Sequence, residues 1–205
     1  MPRPAGRRNP DYAEKRARLV QELCDYVLRM PPTRPSLRQM AQVCAVSEPT
    51  LRHYFGDRED VAIAIIEELG VRARPIIDAV ETETASAAQA VESYIELSLI
   101  GVRNGAFARA HCFGIVEGVA DPRVGRAYLT ALLEPSLAAL DRRMAPHVGG
   151  AARQPMARAA ALQLFAPLLL TVIHQQLLGG EDAAPMDVDD VFRSLGRLLG
   201  GRVQA

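Results

Sequence analysis

The sequence predicts an all-α fold, and three observations carry that prediction. Apolar residues recur at three- and four-residue spacing along the chain, while alternating β-branched runs bounded by turns are absent. Ser and Asp stand ahead of these apolar stripes as helix starters, and prolines and glycines punctuate them. The 205 residues are 49% hydrophobic and 23% charged, an ordinary globular balance with enough chain to bury a core.

A first helix is expected over about 11–30, with Leu19, Leu23, Tyr26, Val27 and Met30 on one face. "PPTRP" at 31–35 must end it, because proline lacks the amide proton and blocks the preceding turn. A short helix follows over about 36–43, with Ser36 as N-cap and Leu37, Met40 and Ala41 facing inward. Ser47 caps another, 48–55, where Pro49 lies in the tolerant first turn and Leu51 and Phe55 share the buried side. Asp57 opens a longer helix, with Asp60 in capping-box position and Val61, Ile65, Ile66 and Leu69 inward. Pro75 is expected to stop that helix near Arg74. Further helices are expected over roughly 76–84, 86–103, 106–117, 123–146, 154–178 (kinked at Pro167) and 187–199. Asp187 caps the last, Asp189 and Asp190 suit its positive end, and Gly200-Gly201 should stop it. The organisation read from this pattern is a basic arm over 1–10, a helix-turn-helix unit over 11–57, a connecting helix over 58–74 and a C-terminal unit over 75–205.

Net charge is zero but unevenly spread: residues 1–58 hold eleven Lys/Arg against six Asp/Glu. Such an excess at one end suits a polyanionic partner. The same region holds two short helices separated by "CAVS", the layout of a helix-turn-helix whose second helix enters the major groove by its N-terminal residues. With Leu51 and Phe55 as anchors, Glu48, Pro49, Thr50, Arg52, His53 and Tyr54 are left for solvent or for double-stranded DNA.

At these residues, "SLRQMAQVCAVS" and "EPTLRHYFGDREDV", the chain resembles the tetracycline-repressor (TetR) family of bacterial transcriptional regulators. Matching positions are Leu37, Arg38, Ala41, Val46, Ser47, Thr50, Leu51, Tyr54, Phe55, Arg58 (for the family's Lys) and Glu59; beyond residue 75 the resemblance is architectural. It implies that Ser36, Tyr54 and Arg58 position phosphates, and that Arg38, Thr50, Arg52 and His53 read bases. Three departures stand out. Ala45 replaces the usual turn glycine, a strain of about 1 kcal/mol if its φ is positive. Arg52 replaces a tyrosine, and Glu48 stands where lysine is frequent, able to accept from a cytosine amino group. Plainer readings stay open beside these: Ser36 only a cap, Arg38 and His53 solvated, Tyr54 packed on the first helix. Arg3, Arg7 and Arg8 of the arm are minor-groove candidates.

The resemblance also implies a C-terminal effector and dimerisation unit, a homodimer, and a small hydrophobic effector that releases a palindromic operator. Read from its residues, the 154–178 helix is apolar almost all round and needs cover on both sides, from the chain's own core or from a two-fold partner. Candidate interface residues are Leu162, Phe165, Leu169, Ile173 and Leu177, with Val191, Leu195 and Leu198 of the last helix. Candidate pocket residues are Tyr94, Phe107, His111, Tyr128, Phe165 and His174. No metal-ligand spacing and no cofactor motif appear, and no nucleophile elbow, H-E-x-x-H or phosphate loop supports an enzyme. Cys24, Cys44 and Cys112 are an odd set without paired spacing, which suits core thiols in a reducing bacterial cytoplasm. The apolar run 159–173 is shorter than the ~20 residues of a membrane span and carries Gln163 and Pro167. The alternatives are a constitutive DNA-binding regulator without an effector, and an all-helical small-molecule or lipid-binding protein that does not act on DNA.

Overall fold

The structure, a computed structural model, describes residues 10–31, 33–103, 105–148 and 153–202. Among them every regular element is helical: α1 (Pro10–Arg29), α2 (Leu37–Val43), α3 (Glu48–Phe55), α4 (Arg58–Val80), α5 (Ala87–Arg103), α6 (Ala106–Ala120), α7 (Pro122–Tyr128), α8 (Glu134–Met144), α9 (Arg153–Gln176), α10 (Gly180–Ala183) and α11 (Val188–Arg202). Residues 1–9 of the expected 1–10 arm, with Arg3, Arg7 and Arg8, lie outside the described residues, and Pro10 already begins α1.

The four expected caps form, Asp187 accepting from the Asp190 amide at 3.1 Å. Ser36 and Asp57 each sit in a reciprocal capping box, with Gln39 and Asp60, and the Ser47 hydroxyl accepts from the Thr50 amide. Between α2 and α3, Ala45 adopts φ 51°, the left-handed conformation in which a Cβ crowds the following carbonyl.

Two expected stops do not occur. α4 runs through Pro75 to Val80, and Pro75 is exposed there, where its missing amide faces water. α11 continues through Gly200 and Gly201 to Arg202, since glycine weakens a helix by only about 1 kcal/mol. α9 likewise continues through Pro167. The expected 123–146 helix is one continuous rod, α7–α8, with a π-helical turn at Leu129–Leu133. Pro135 explains that turn: it has no amide to give Ala131, four residues back. The freed carbonyl of Ala131 points at α4, where any side chain on Gly70 would collide with it.

The buried residues fall into two clusters. α1–α3 and the first half of α4 pack with Phe113, Val124, Tyr128 and Leu132 of α6 to α8. Ile77 and Val80 at the far end of α4 pack with α5, α8, α9 and Phe192 of α11. α4 therefore belongs to both cores, and α6–α7 lies against the N-terminal one. Cys24 and Cys44 are buried in that core, where burial pushes each thiol up to about 12.

Candidate nucleic-acid interface and interior cavity

The reading head is built on α3. Leu51 is fully buried beneath it, and Ser47 fixes its start. Arg38, Arg52, His53, Pro49 and Ser36 are exposed around it, while Glu48 and Thr50 are half-buried. The Thr50 hydroxyl is 2.8 Å from that of Ser47, so it is partly committed to the cap. Arg38 and Arg52 have no ion-pair partner among the described residues. Tyr54 is braced rather than free: the Tyr12 ring stacks on it at 4.7 Å, and His53 meets both rings edge-on. The Tyr12 hydroxyl donates to the carbonyl oxygens of His53 and Tyr54 at 3.2 and 3.4 Å, closing the C-terminal end of α3. Tyr12 was missed in the sequence because its partner helix lies 41 residues on.

Arg58 is the clear correction. Its guanidinium does not face outward for a phosphate but grips Glu117 of α6 with both terminal nitrogens, while Nε donates to the Pro35 carbonyl at 3.0 Å. Glu117 is fully buried and also receives Arg34 Nε at 3.3 Å. The hydrogen bond that Arg58 donates to Glu117 leads in raising the Arg58 pKa above the ordinary guanidinium value. A second clasp lies beside it: Arg123, at the start of α7, reaches Asp57 at 3.1 Å and Asp60 at 3.4 Å. The corner between α6 and α7 thus holds the first turn of α4 and the entry to α2 by charge.

At the other end of α6 lies a cavity of about 170 Å³. Its walls come from α4 (Ile76, Ile77), α5 (Tyr94, Leu97), α6 (Phe107, His111) and α9 (Phe165, Leu168). Ile76 is 57% exposed and marks the mouth. Of the expected pocket residues, Tyr94, Phe107, His111 and Phe165 line this cavity. Tyr128 stands one layer behind, its hydroxyl 2.9 Å from His111 Nδ1, and it reaches there because Gly114 has no side chain to strike its ring. His174 is not on the cavity; it packs against Gly180 near the end of α9, with Gln175 at 2.7 Å. His111 is buried among the rings of Phe107, Phe165 and Tyr128, and burial pushes its pKa down to about 3.

The expected interface residues separate. Phe165 is interior to its own chain and cannot lie on a surface. Leu162 and Leu198 are exposed, while Leu169, Ile173, Leu177, Val191 and Leu195 are half-buried. Leu170, 65% exposed, extends the same apolar side of α9, and Leu178, 70% exposed, follows the helix end. The Gln154–Gln176 stretch is longer than the 159–173 run and, with mean hydropathy 1.7, meets the length and composition of a span. Its other side, however, is this chain's core, through Ala157, Ala161, Leu164, Leu168 and Val172.

No family model matches the chain, and no curated protein matches it in sequence. Solved structures do. A protein from Mesorhizobium loti described as a TetR-family transcriptional regulator shares 16% identity at TM-score 0.63, covering 96% of each chain. The fatty acid degradation regulator FadR from Bacillus halodurans shares 17% at TM-score 0.56, covering 95% of this chain and 96% of its own. The chain therefore has the fold of the TetR-family regulators.

Proposed function

We propose, on the premise of that shared fold, that this chain is a homodimeric DNA-binding transcriptional regulator of the bacterial cytoplasm, released from a palindromic operator by a small apolar effector. It is a binding protein rather than an enzyme. The observation that carries this reading is the exposed face of α2 and α3, two firmly capped helices presenting Arg38, Arg52 and His53, with neither arginine ion-paired among the described residues. Arg38 and Arg52 approach base edges, and Ser36 and Tyr54 settle phosphates. Two copies are required, because a palindrome is read by two recognition helices about 34–36 Å apart. The effector occupies the cavity beside Phe107 and His111. α6 then carries the change to Glu117, and through Arg58, Arg34 and Arg123 to the first turn of α4, altering the separation of the reading heads.

Selection of random duplex DNA by the purified protein, with titration at two salt concentrations, tests this. A palindrome should be enriched, with affinity falling steeply with salt as counterions are released. Arg38→Ala should cost about 1–3 kcal/mol at one base position. An equal loss on every sequence would make Arg38 a phosphate contact, and no enrichment at all would sink the reading in favour of a helical carrier.

A further inference from the structure

Five polar side chains reach the cavity wall: Arg72, Tyr94, Ser98, His111 and Ser136. Three are already committed. Ser98 and Ser136 turn their hydroxyl protons back onto the Tyr94 and Leu132 carbonyls of their own helices, each at 2.8 Å. Tyr94 is buried in the wall beside Ser98, one turn further along the same helix. Among the described residues Arg72 is the only cation on the wall, and its charge is spent: Nη1 meets Asp25 at 2.6 Å, Nε meets Glu68 at 3.2 Å, and Nη2 donates to the Gln21 carbonyl at 3.2 Å.

His111 differs. Nδ1 is 2.9 Å from the Tyr128 hydroxyl, and Nε2 has no partner among the described residues although the residue is 2% exposed. The tautomer follows from counting protons. The Tyr128 hydroxyl has no other acceptor among the described residues, so its proton is used only if it donates to Nδ1. The ring proton then resides on Nε2 as an unused donor beside the cavity. The opposite tautomer leaves both the Tyr128 proton and the Nε2 lone pair unmet.

We infer that the cavity takes a neutral, mostly apolar molecule slightly larger than benzene, carrying one hydrogen-bond acceptor that receives His111 Nε2–H. The size follows from the volume: an apolar cavity of about 150 Å³ holds benzene, and this one is about 170 Å³. Neutrality follows from the wall. A carboxylate would find no free cation, and an unpaired buried charge costs many times what one hydrogen bond returns. The inference rests on the reading of this cavity as the effector site.

Three probes of similar outline separate the claims: acetophenone (neutral, with an acceptor), ethylbenzene (neutral, without one) and benzoate (anionic). Each is titrated into the full chain by calorimetry and by thermal shift, and separately into its complex with the selected DNA. Acetophenone should bind about tenfold more tightly than ethylbenzene, the worth of one buried hydrogen bond, and benzoate should not register. In His111→Phe the acetophenone preference should vanish while ethylbenzene binding persists, which shows that the variant is folded. Benzoate binding as well as acetophenone, a preference that survives in His111→Phe, or no binding by any probe at millimolar concentration would each overturn the proposal. DNA binding by the unliganded chain is measured in the same preparation, so a dry cavity leaves the regulator reading standing. Probe binding without any DNA binding upholds the cavity's ligand and removes the regulator.

Discussion

His111 is a base kept from its proton by its surroundings. Aromatic rings crowd it, its one partner is a phenol, and burial lowers its pKa from 6.5 to about 3. The linkage follows directly. Between those two values the unfolded chain binds a proton that the folded chain refuses, so acid favours unfolding. Stability is complete above the unfolded value and drains as pH falls from about 6.5 toward about 3. Moving from about pH 7 to about pH 5.5 should therefore cost about 1 kcal/mol through this residue alone. Urea unfolding at the two pH values should show that extra loss in the wild type and not in His111→Phe. Equal losses would mean that the ring is charged in the folded protein. Such a role is hidden in the sequence, where "ARAHCF" shows only a histidine among apolar neighbours. Ala45 was easier to read, because so tight a link between two capped helices needs a left-handed residue and only the side chain was unusual.

Among the elements, α6 is the one with two jobs. Its first half lines the cavity, and Glu117 near its end binds Arg58 and Arg34 from complete burial. Neutralising the buried Glu117 takes the bidentate partner from Arg58, which keeps only Glu59 at 3.7 Å as an anionic partner among the described residues, at a cost of about 3 kcal/mol. Glu117→Gln should lose stability of that order in urea unfolding. In an operator titration it should also narrow the difference between free and acetophenone-bound protein. A variant that loses stability but keeps the full difference would make the clasp structural only. The caps at Ser36, Ser47 and Asp57 were legible because a cap and its amide lie three residues apart. Arg58 was misread because its partner is 59 residues away, and nothing local distinguishes a phosphate-facing arginine from a clasped one. Pro75 was misread for the opposite reason. The local rule is sound, yet packing of Ile77 and Val80 in the second core outweighs one lost hydrogen bond.

For the whole molecule, what matters is the apolar surface left uncovered. α9 buries one side in its own core, yet Leu162 and Leu170 stand open on the other, with Leu178 beyond the helix end and Leu198 of α11 exposed as well. The stripe was legible as apolar all round, but its facing was not. Phe165 turned inward and Leu170 outward, a rotation too small for a pattern of leucines to reveal. A two-fold partner laid on this side would bury the stripe against its own copy, as the proposed reading of a palindrome requires. Leu170→Arg places an unpaired charge in such an interface and, at about 3 kcal/mol, should weaken the dimer about a hundredfold. Sedimentation at micromolar concentration should then find monomers, with helical content unchanged because Leu170 touches little of its own chain. Operator affinity should fall with it while contacts at a half-site persist, since each reading head stays intact. A variant that remains dimeric would place the two-fold elsewhere, and one that is monomeric yet binds the full operator undiminished would remove dimerisation from the mechanism.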